Sequence, residues 1–114
     1  TAILYTLHYF IAVADELTEE QRAQAREAIG MLLQEPELGE DYFVKGSHGI
    51  TPTKGDSTSI RWSIEVASAY LLERIGGSGQ SILQRNLEDR RGYVRTAAST
   101  VLKRLNAEKG GVSA

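Results

Sequence analysis

Residues 78–106 read SGQSILQRNLEDRRGYVRTAASTVLKRLN, and this stretch decides the fold. Ile82, Leu83 and Leu87 mark one helical face before a polar turn. After the turn, apolar residues recur every three or four positions, at Val94, Ala97, Ala98, Val101, Leu102 and Leu105. The spacing predicts two amphipathic helices joined by a turn. Because such a pair cannot bury its apolar faces alone, the rest of the chain must supply helices that pack against it.

Three more helices are predicted upstream, which gives an all-α fold of about five helices packed as αα-hairpins. Residues 2–17 carry a wide apolar stripe, so we expect the first helix to be the most buried element, with His8 in or beside the core. Thr18 and Gln21 have the spacing of a capping box for a second helix that runs to about residue 34. A third helix begins after a cap within residues 56–59 and ends at Gly76 and Gly77.

The remaining segments lack helical periodicity. Residues 37–59 contain four glycines and Pro52 and are predicted to form one long central loop. Loops of this length are unusual in a compact domain and are often functional. Within it, residues 42–44 form either a strand or an apolar anchor, and the anchor is favoured because no partner strand is evident. Residues 107–114 are expected to be a flexible tail. The whole of 1–114 is interpreted as a single domain.

Composition narrows the function classes. The chain has no cysteine, which excludes disulfides, thiol nucleophiles and cysteine-based zinc sites and favours a reducing, cytoplasmic location. Its longest apolar run is too short to cross a bilayer, so no membrane partner is expected. With two histidines and no pair of them at ligand spacing, no metal or cofactor is predicted.

Charge is divided unevenly along the chain. Residues 1–59 contain four basic and ten acidic residues, a net charge of −6, whereas residues 60–114 contain nine basic and five acidic residues, a net charge of +4. Opposite ends of one small domain attract each other. The same asymmetry also suits head-to-tail self-association or a basic face that binds an acidic partner.

The turn in the C-terminal unit carries a family resemblance. Leu87-Glu88-Asp89, followed after four residues by Val94-Arg95 and Ala97-Ala98, resembles the HEAT-like repeat of phycobilisome-lyase-type proteins. A copy thirty residues upstream pairs Ile64 with Val94 and Ile75 with Leu105. In that copy, Glu65 occupies the position equivalent to Arg95. The resemblance implies structural roles for Asp89, which would end the first helix and cap the second, and for Arg95, which would bond back to turn carbonyls or to the next repeat.

Three functions follow from these observations. The favoured one is a non-catalytic module that binds or scaffolds another protein. A nucleic-acid-binding helical domain, using the basic C-terminal half, is the second. A small enzyme or ligand-binding protein using residues 46–58 is the third, although adjacent Ser47 and His48 do not make a catalytic relay. The candidate partner-binding residues are Arg90, Arg91, Tyr93, Arg85, Trp62, His48 and Lys54, and Trp62 is either a core residue packed with Tyr70 or an anchor for a partner.

Overall fold

A computed structural model describes residues 2–36, 38 and 60–113, with the backbone alone described for 109–113. Its helices are α1 (Ala2–Ala12), α2 (Glu19–Leu33), α3 (Arg61–Arg74), α4 (Gln80–Leu87) and α5 (Gly92–Ser113), with a 3-10 helix at Ala14–Glu16. The described residues contain five α-helices and no strand, so the predicted all-α fold is confirmed. The predicted loop anchor at residues 42–44 lies outside the described residues.

Helix α3 is the centre of the fold. It contacts α1, α2, α4 and α5, and every residue from 64 to 71 is buried. One core cluster joins its Ile64 and Leu71 to Leu7 of α1 and Ile29 of α2, while a second joins its Tyr70 to α4 and α5. A helix with neighbours on all sides has no solvent-facing stripe, so its amphipathic pattern is weak.

The prediction that the first helix is the most buried element is wrong. Leu7 is its one buried residue, and Tyr5 is 77% exposed. His8 is also exposed, so its placement in or beside the core is wrong as well. The helix ends at Ala12, before the predicted residue 17, because the chain tightens into the 3-10 helix. Apolar composition around α1 does not determine which of its faces a neighbour covers, and only one face meets α3.

Local signals at the helix ends are mostly confirmed. Gln21 N–H donates to Thr18 Oγ1 at 3.1 Å and Thr18 N–H donates to Gln21 Oε1 at 2.9 Å, completing the predicted capping box. Gly76 has φ +89°, and Gly77 N–H donates to Leu72 O at 2.8 Å, which ends α3 in a Schellman motif. At its other end α3 has Ile60 at the N-cap with no side-chain cap, and the residues predicted to provide one lie outside the described part.

Two boundaries in the C-terminal unit differ from prediction. Helix α4 begins at Gln80 rather than residue 78, because Gly79 N–H donates to Glu73 Oε2 at 2.8 Å and Gly79 packs directly on the α3 backbone. Helix α5 continues to Ser113, past its predicted end at residue 106. There the Tyr70 hydroxyl donates to Glu108 Oε2 at 2.6 Å, so a contact with α3 supports the turn beyond Asn106.

Candidate interaction surfaces

The turn between α4 and α5 is held by an arginine-carboxylate network. Asp89 Oδ1 accepts from the Arg91 backbone N–H at 2.8 Å and from Arg91 Nε at 2.9 Å, while Oδ2 accepts from Arg91 Nη2 at 3.0 Å. These hydrogen bonds lower the pKa of Asp89 to about 2, against the opposing effect of burial. This bidentate, charge-assisted pairing of Arg91 with the Asp89 carboxylate fixes the turn immediately before Gly92, the first residue of α5.

Arg95 reaches back to the same turn. Its Nη1 donates to the Asp89 carbonyl oxygen at 2.6 Å, which satisfies a carbonyl left free after the end of α4. The structure therefore places Asp89 and Arg95 together, with the arginine bonded to a turn carbonyl. The Asp89 carboxylate accepts a hydrogen bond from the backbone N–H of Arg91, the residue that immediately precedes α5. It therefore does not cap an amide inside that helix, as the resemblance implied.

The other predicted residues of this region divide into exposed and engaged side chains. Arg90 is exposed, whereas the side chain of Arg91, also a candidate for partner binding, is only 18% exposed and turns onto Asp89. Tyr93 is 48% exposed and meets Trp62 edge to face, with ring centroids 5.4 Å apart. Trp62 is half-buried and packs against the same core cluster as Tyr70, so it is a boundary residue.

Most of the basic residues in the C-terminal half already contact acceptors within the chain. Arg85 is 66% exposed and lies 3.6 Å from the buried carboxylate of Glu65. Arg104 lies 3.4 Å from Glu108 and stacks over the Tyr70 ring. Arg91 and Arg95 likewise donate to the carboxylate and the backbone carbonyl of Asp89. These contacts partly neutralise the basic face that nucleic-acid binding would need.

A groove lies between α1 and α2, and the sequence did not reveal it. It encloses about 700 Å³, and its lining is mainly apolar. The lining residues are Ala2, Ile3, Thr6, Leu7, Phe10, Leu17, Gln21, Gln24, Ala25, Ala28, Ile29, Leu32 and Leu71. Four of the five exposed large apolar residues in the described part of the chain, Ile3, Tyr5, Tyr9 and Met31, belong to the same two helices, and the fifth, Tyr93, lies on α5. We call this surface the α1–α2 groove.

The two sides of the α1–α2 groove differ in chemistry. On α2, Gln24 lines the groove, and Glu20 and Glu27 lie four residues before it and three after it, which places them in the same row along the helix. On α1, Tyr5 and Tyr9 lie three and seven residues after the lining residue Ala2, in the corresponding outer row. The groove thus has an acidic border on one helix and an aromatic border on the other.

The basic residues of α2 do not offset that acidic border. Arg26 Nη1 donates to Ile75 O at 2.6 Å, at the C-terminal end of α3. Arg22 donates to Glu19 Oε1 at 3.3 Å and to Ala14 O at 3.4 Å. Helix α1 contains no charged residue. The described surface beside the groove is therefore acidic, and its two arginines are used to hold neighbouring elements.

The third predicted function uses residues 46–58, which lie outside the described part of the chain. His48 and Lys54 lie outside the described residues. Among the residues that are described, no group of three or more His, Asp or Glu side chains is arranged to hold a metal ion. In the same part of the chain, no helix combines the length and the apolar character needed to cross a membrane.

No family model, curated protein or solved structure matches this sequence.

Proposed function

We propose that the protein is a non-catalytic binding module whose partner is another protein, and that the partner docks in the α1–α2 groove. The observation that carries this proposal is the concentration of exposed apolar side chains on α1 and α2, the two helices that border an apolar groove. Single exposed apolar residues are common on soluble proteins, whereas a contiguous patch beside a groove is typical of an interaction site.

The residue types support the same proposal. Tyrosine contributes large, rigid contact area with one polar tip, and methionine adapts to irregular partners. Tyr5, Tyr9 and Met31 provide both properties at the outer edges of the groove. The acidic border disfavours a nucleic-acid partner on this side of the molecule. Arg90 and Lys103 remain exposed on the opposite half, where nucleic-acid binding stays the weaker alternative.

We also infer that α4–α5 is a HEAT-like helix pair and that α3 is a copy of α5. Positions thirty residues apart share burial, as Ile64 and Val94 and then Ile75 and Leu105 show. An arginine near the start of each of these two helices donates to backbone carbonyls of an earlier segment, although Arg61 and Arg95 do not occupy equivalent positions in the thirty-residue register. Arg95 does so to Asp89 O, and Arg61 donates to Leu33 O at 2.7 Å and to Glu35 O at 2.6 Å.

The experiment compares two arginine substitutions on α2. Ala28→Arg places a long charged side chain in the groove lining, and Ala23→Arg makes the same change at an exposed position five residues away, on another face of the helix. Tagged wild-type protein and both variants are used to capture proteins from an extract of the source cells, with captured proteins quantified by mass spectrometry. Thermal unfolding verifies that the three proteins fold equally well.

We expect at least one protein to be retained by the wild type and by Ala23→Arg but lost with Ala28→Arg. The proposal then requires that protein, once purified, to bind in a fixed stoichiometry. If no captured protein distinguishes the two variants, the α1–α2 groove is not a protein-binding site and the proposed function is wrong.

A further inference from the structure

We infer that the occupant of the α1–α2 groove is an amphipathic helix of another protein with lysine or arginine residues along one flank. This inference rests on the proposed function and adds the chemistry of the partner. It follows from three features of the groove, namely its shape between two helices, its apolar floor and its uncompensated acidic border.

The shape suits a helix. The groove is bordered by helices of 11 and 15 residues, which at about 1.5 Å per residue are roughly 16 and 22 Å long. A third helix can lie along such a groove at the usual interaxial distance of about 8–10 Å. Leu7, Ile29 and Leu32 lie among its apolar lining residues. The apolar anchors of a docking helix, spaced three, four and seven residues apart, fit a floor of this kind.

Charge complementarity predicts basic residues along one flank of the docked helix. Glu20 and Glu27 are exposed and seven residues apart in one row, so their separation along the helix is about 10 Å. No described cation of α1 or α2 is turned toward that row, because Arg22 and Arg26 donate to Ala14 and Ile75 carbonyls. Cations spaced by two turns on a docked helix would lie opposite both carboxylates. Tyr5 and Tyr9, on the other border, add ring faces that attract ammonium and guanidinium groups.

A second copy of this chain fits the groove less well. Two copies that met through their α1–α2 grooves would bring two acidic borders together, and like charges across an interface cost affinity. The basic half offers α5, but its apolar positions Val94, Ala98 and Leu105 are already buried against the rest of the molecule. The self-association predicted from the charge asymmetry therefore lacks an apolar ridge in α5 to fill the groove.

The test uses synthetic helical peptides of about four turns that share one leucine stripe and differ only in their flanks, which carry lysine, glutamine or glutamate. Affinity for the full chain is measured by fluorescence anisotropy at low and at physiological salt. We expect the lysine-flanked peptide to bind at least about tenfold more tightly than the glutamate-flanked peptide, with a preference that shrinks as salt rises.

Two variants with the same charge change locate the effect. Glu27→Lys alters the groove border, and Glu88→Lys alters an exposed residue at the end of α4. We expect Glu27→Lys to remove most of the lysine preference and Glu88→Lys to leave it nearly unchanged. Ala28→Arg should abolish binding of all three peptides, while Ala23→Arg should not.

Each other outcome overturns the inference in a distinguishable way. Equal affinity for all three flanks, or equal effects of Glu27→Lys and Glu88→Lys, shows that the basic flank is not recognised while groove binding survives. No peptide binding, combined with a captured protein that depends on Ala28, shows that the partner is not such a helix. A wild-type dimer in sedimentation analysis that Ala28→Arg converts to a monomer identifies a second copy as the occupant instead. Failure of both the peptides and the capture experiment removes the proposed function as well.

Discussion

The α1–α2 pair and the α3–α4–α5 unit use their apolar residues in different ways. In the α3–α4–α5 unit, Ile64, Leu83 and Val94 are almost fully inaccessible to solvent. In the α1–α2 pair, Leu7 and Ile29 are the buried residues of the two helices, and larger apolar side chains face solvent. More of the apolar side chains are therefore buried in the C-terminal unit than in the N-terminal pair.

Polar contacts follow the same division. The carboxylates of Glu65, Glu73, Asp89 and Glu108 are all hydrogen-bonded within the C-terminal unit. Glu20 and Glu27 of α2 are exposed. A region whose charged groups are engaged has a defined geometry, whereas exposed carboxylates beside an apolar groove remain available to a partner.

The largest effect should come from a side chain added where α3 and α4 meet. A Cβ at Gly79 would lie 2.6 Å from Ala69 Cα and against its carbonyl oxygen, so the two helices must separate. We expect Gly79→Ala to lower the free energy of unfolding by about 3 kcal/mol or more in urea denaturation. Gly30→Ala is the control in α2, where an added Cβ meets no atom within 4 Å, and it should stabilise by up to about 1 kcal/mol. Similar behaviour of the two variants would refute the division between the regions.

Removing the same side chain from each region should separate them further. Ile64 in α3 is 1% exposed and Ile3 in α1 is 36% exposed. Ile64→Ala leaves a cavity and should cost about 2–5 kcal/mol, the usual range for a buried isoleucine. Ile3→Ala should cost less than about 1 kcal/mol, since much of its surface is already in water. Chemical denaturation of both variants measures the difference, and a cost for Ile3→Ala equal to that of Ile64→Ala would show that the groove helices are packed as tightly as the core.

Acid should weaken the C-terminal unit through Asp89. Its pKa of about 2 in the folded state lies below the value in the unfolded chain, so its contribution is complete above about pH 4 and is lost as the pH falls toward 2. The shift corresponds to about 2 kcal/mol. Asp89→Asn should therefore destabilise by about that amount at pH 7 and make stability less dependent on pH between 4 and 2. Unfolding curves at several pH values test this, and a variant with the same acid dependence as the wild type would remove the assigned role.

How much of this division was readable from sequence depends on the range of the interactions. The capping box at Thr18 and the stop at Gly76 depend on residues within one helical turn, and both were predicted correctly. The burial of α3 and the exposure of α1 depend on which helices pack together, so the wide apolar stripe of α1 was misread as core. The weak periodicity of α3 was itself a signal, because a helix covered on all sides needs no polar face.

The candidate sites show the same limit. The return of Arg95 to the turn is one of the two contacts that the family resemblance implies, and its partner Asp89 is six residues away in sequence. The inward turn of Arg91 was missed, although an aspartate two residues before an arginine can accept both its amide and its side chain. The α1–α2 groove could not be predicted, because its floor includes Leu71, a residue of α3 that is distant in sequence.

The smallest expected effect tests whether the two regions open separately. Arg26 of α2 donates to the Ile75 carbonyl at the end of α3, a contact that fastens the N-terminal pair to the C-terminal unit. Arg26→Met keeps the aliphatic stem but loses this hydrogen bond, and we expect a cost of about 1 kcal/mol, the usual net contribution of an intramolecular hydrogen bond. Native-state hydrogen exchange should show that cost in the amides of α2 and hardly at all in those of α3, since a local opening exposes only the region that detaches. If the amides of both helices lose protection equally, the two regions unfold as one unit. The exposure of the groove would then depend only on the side chains that line it, and not on a separate stability of the α1–α2 pair.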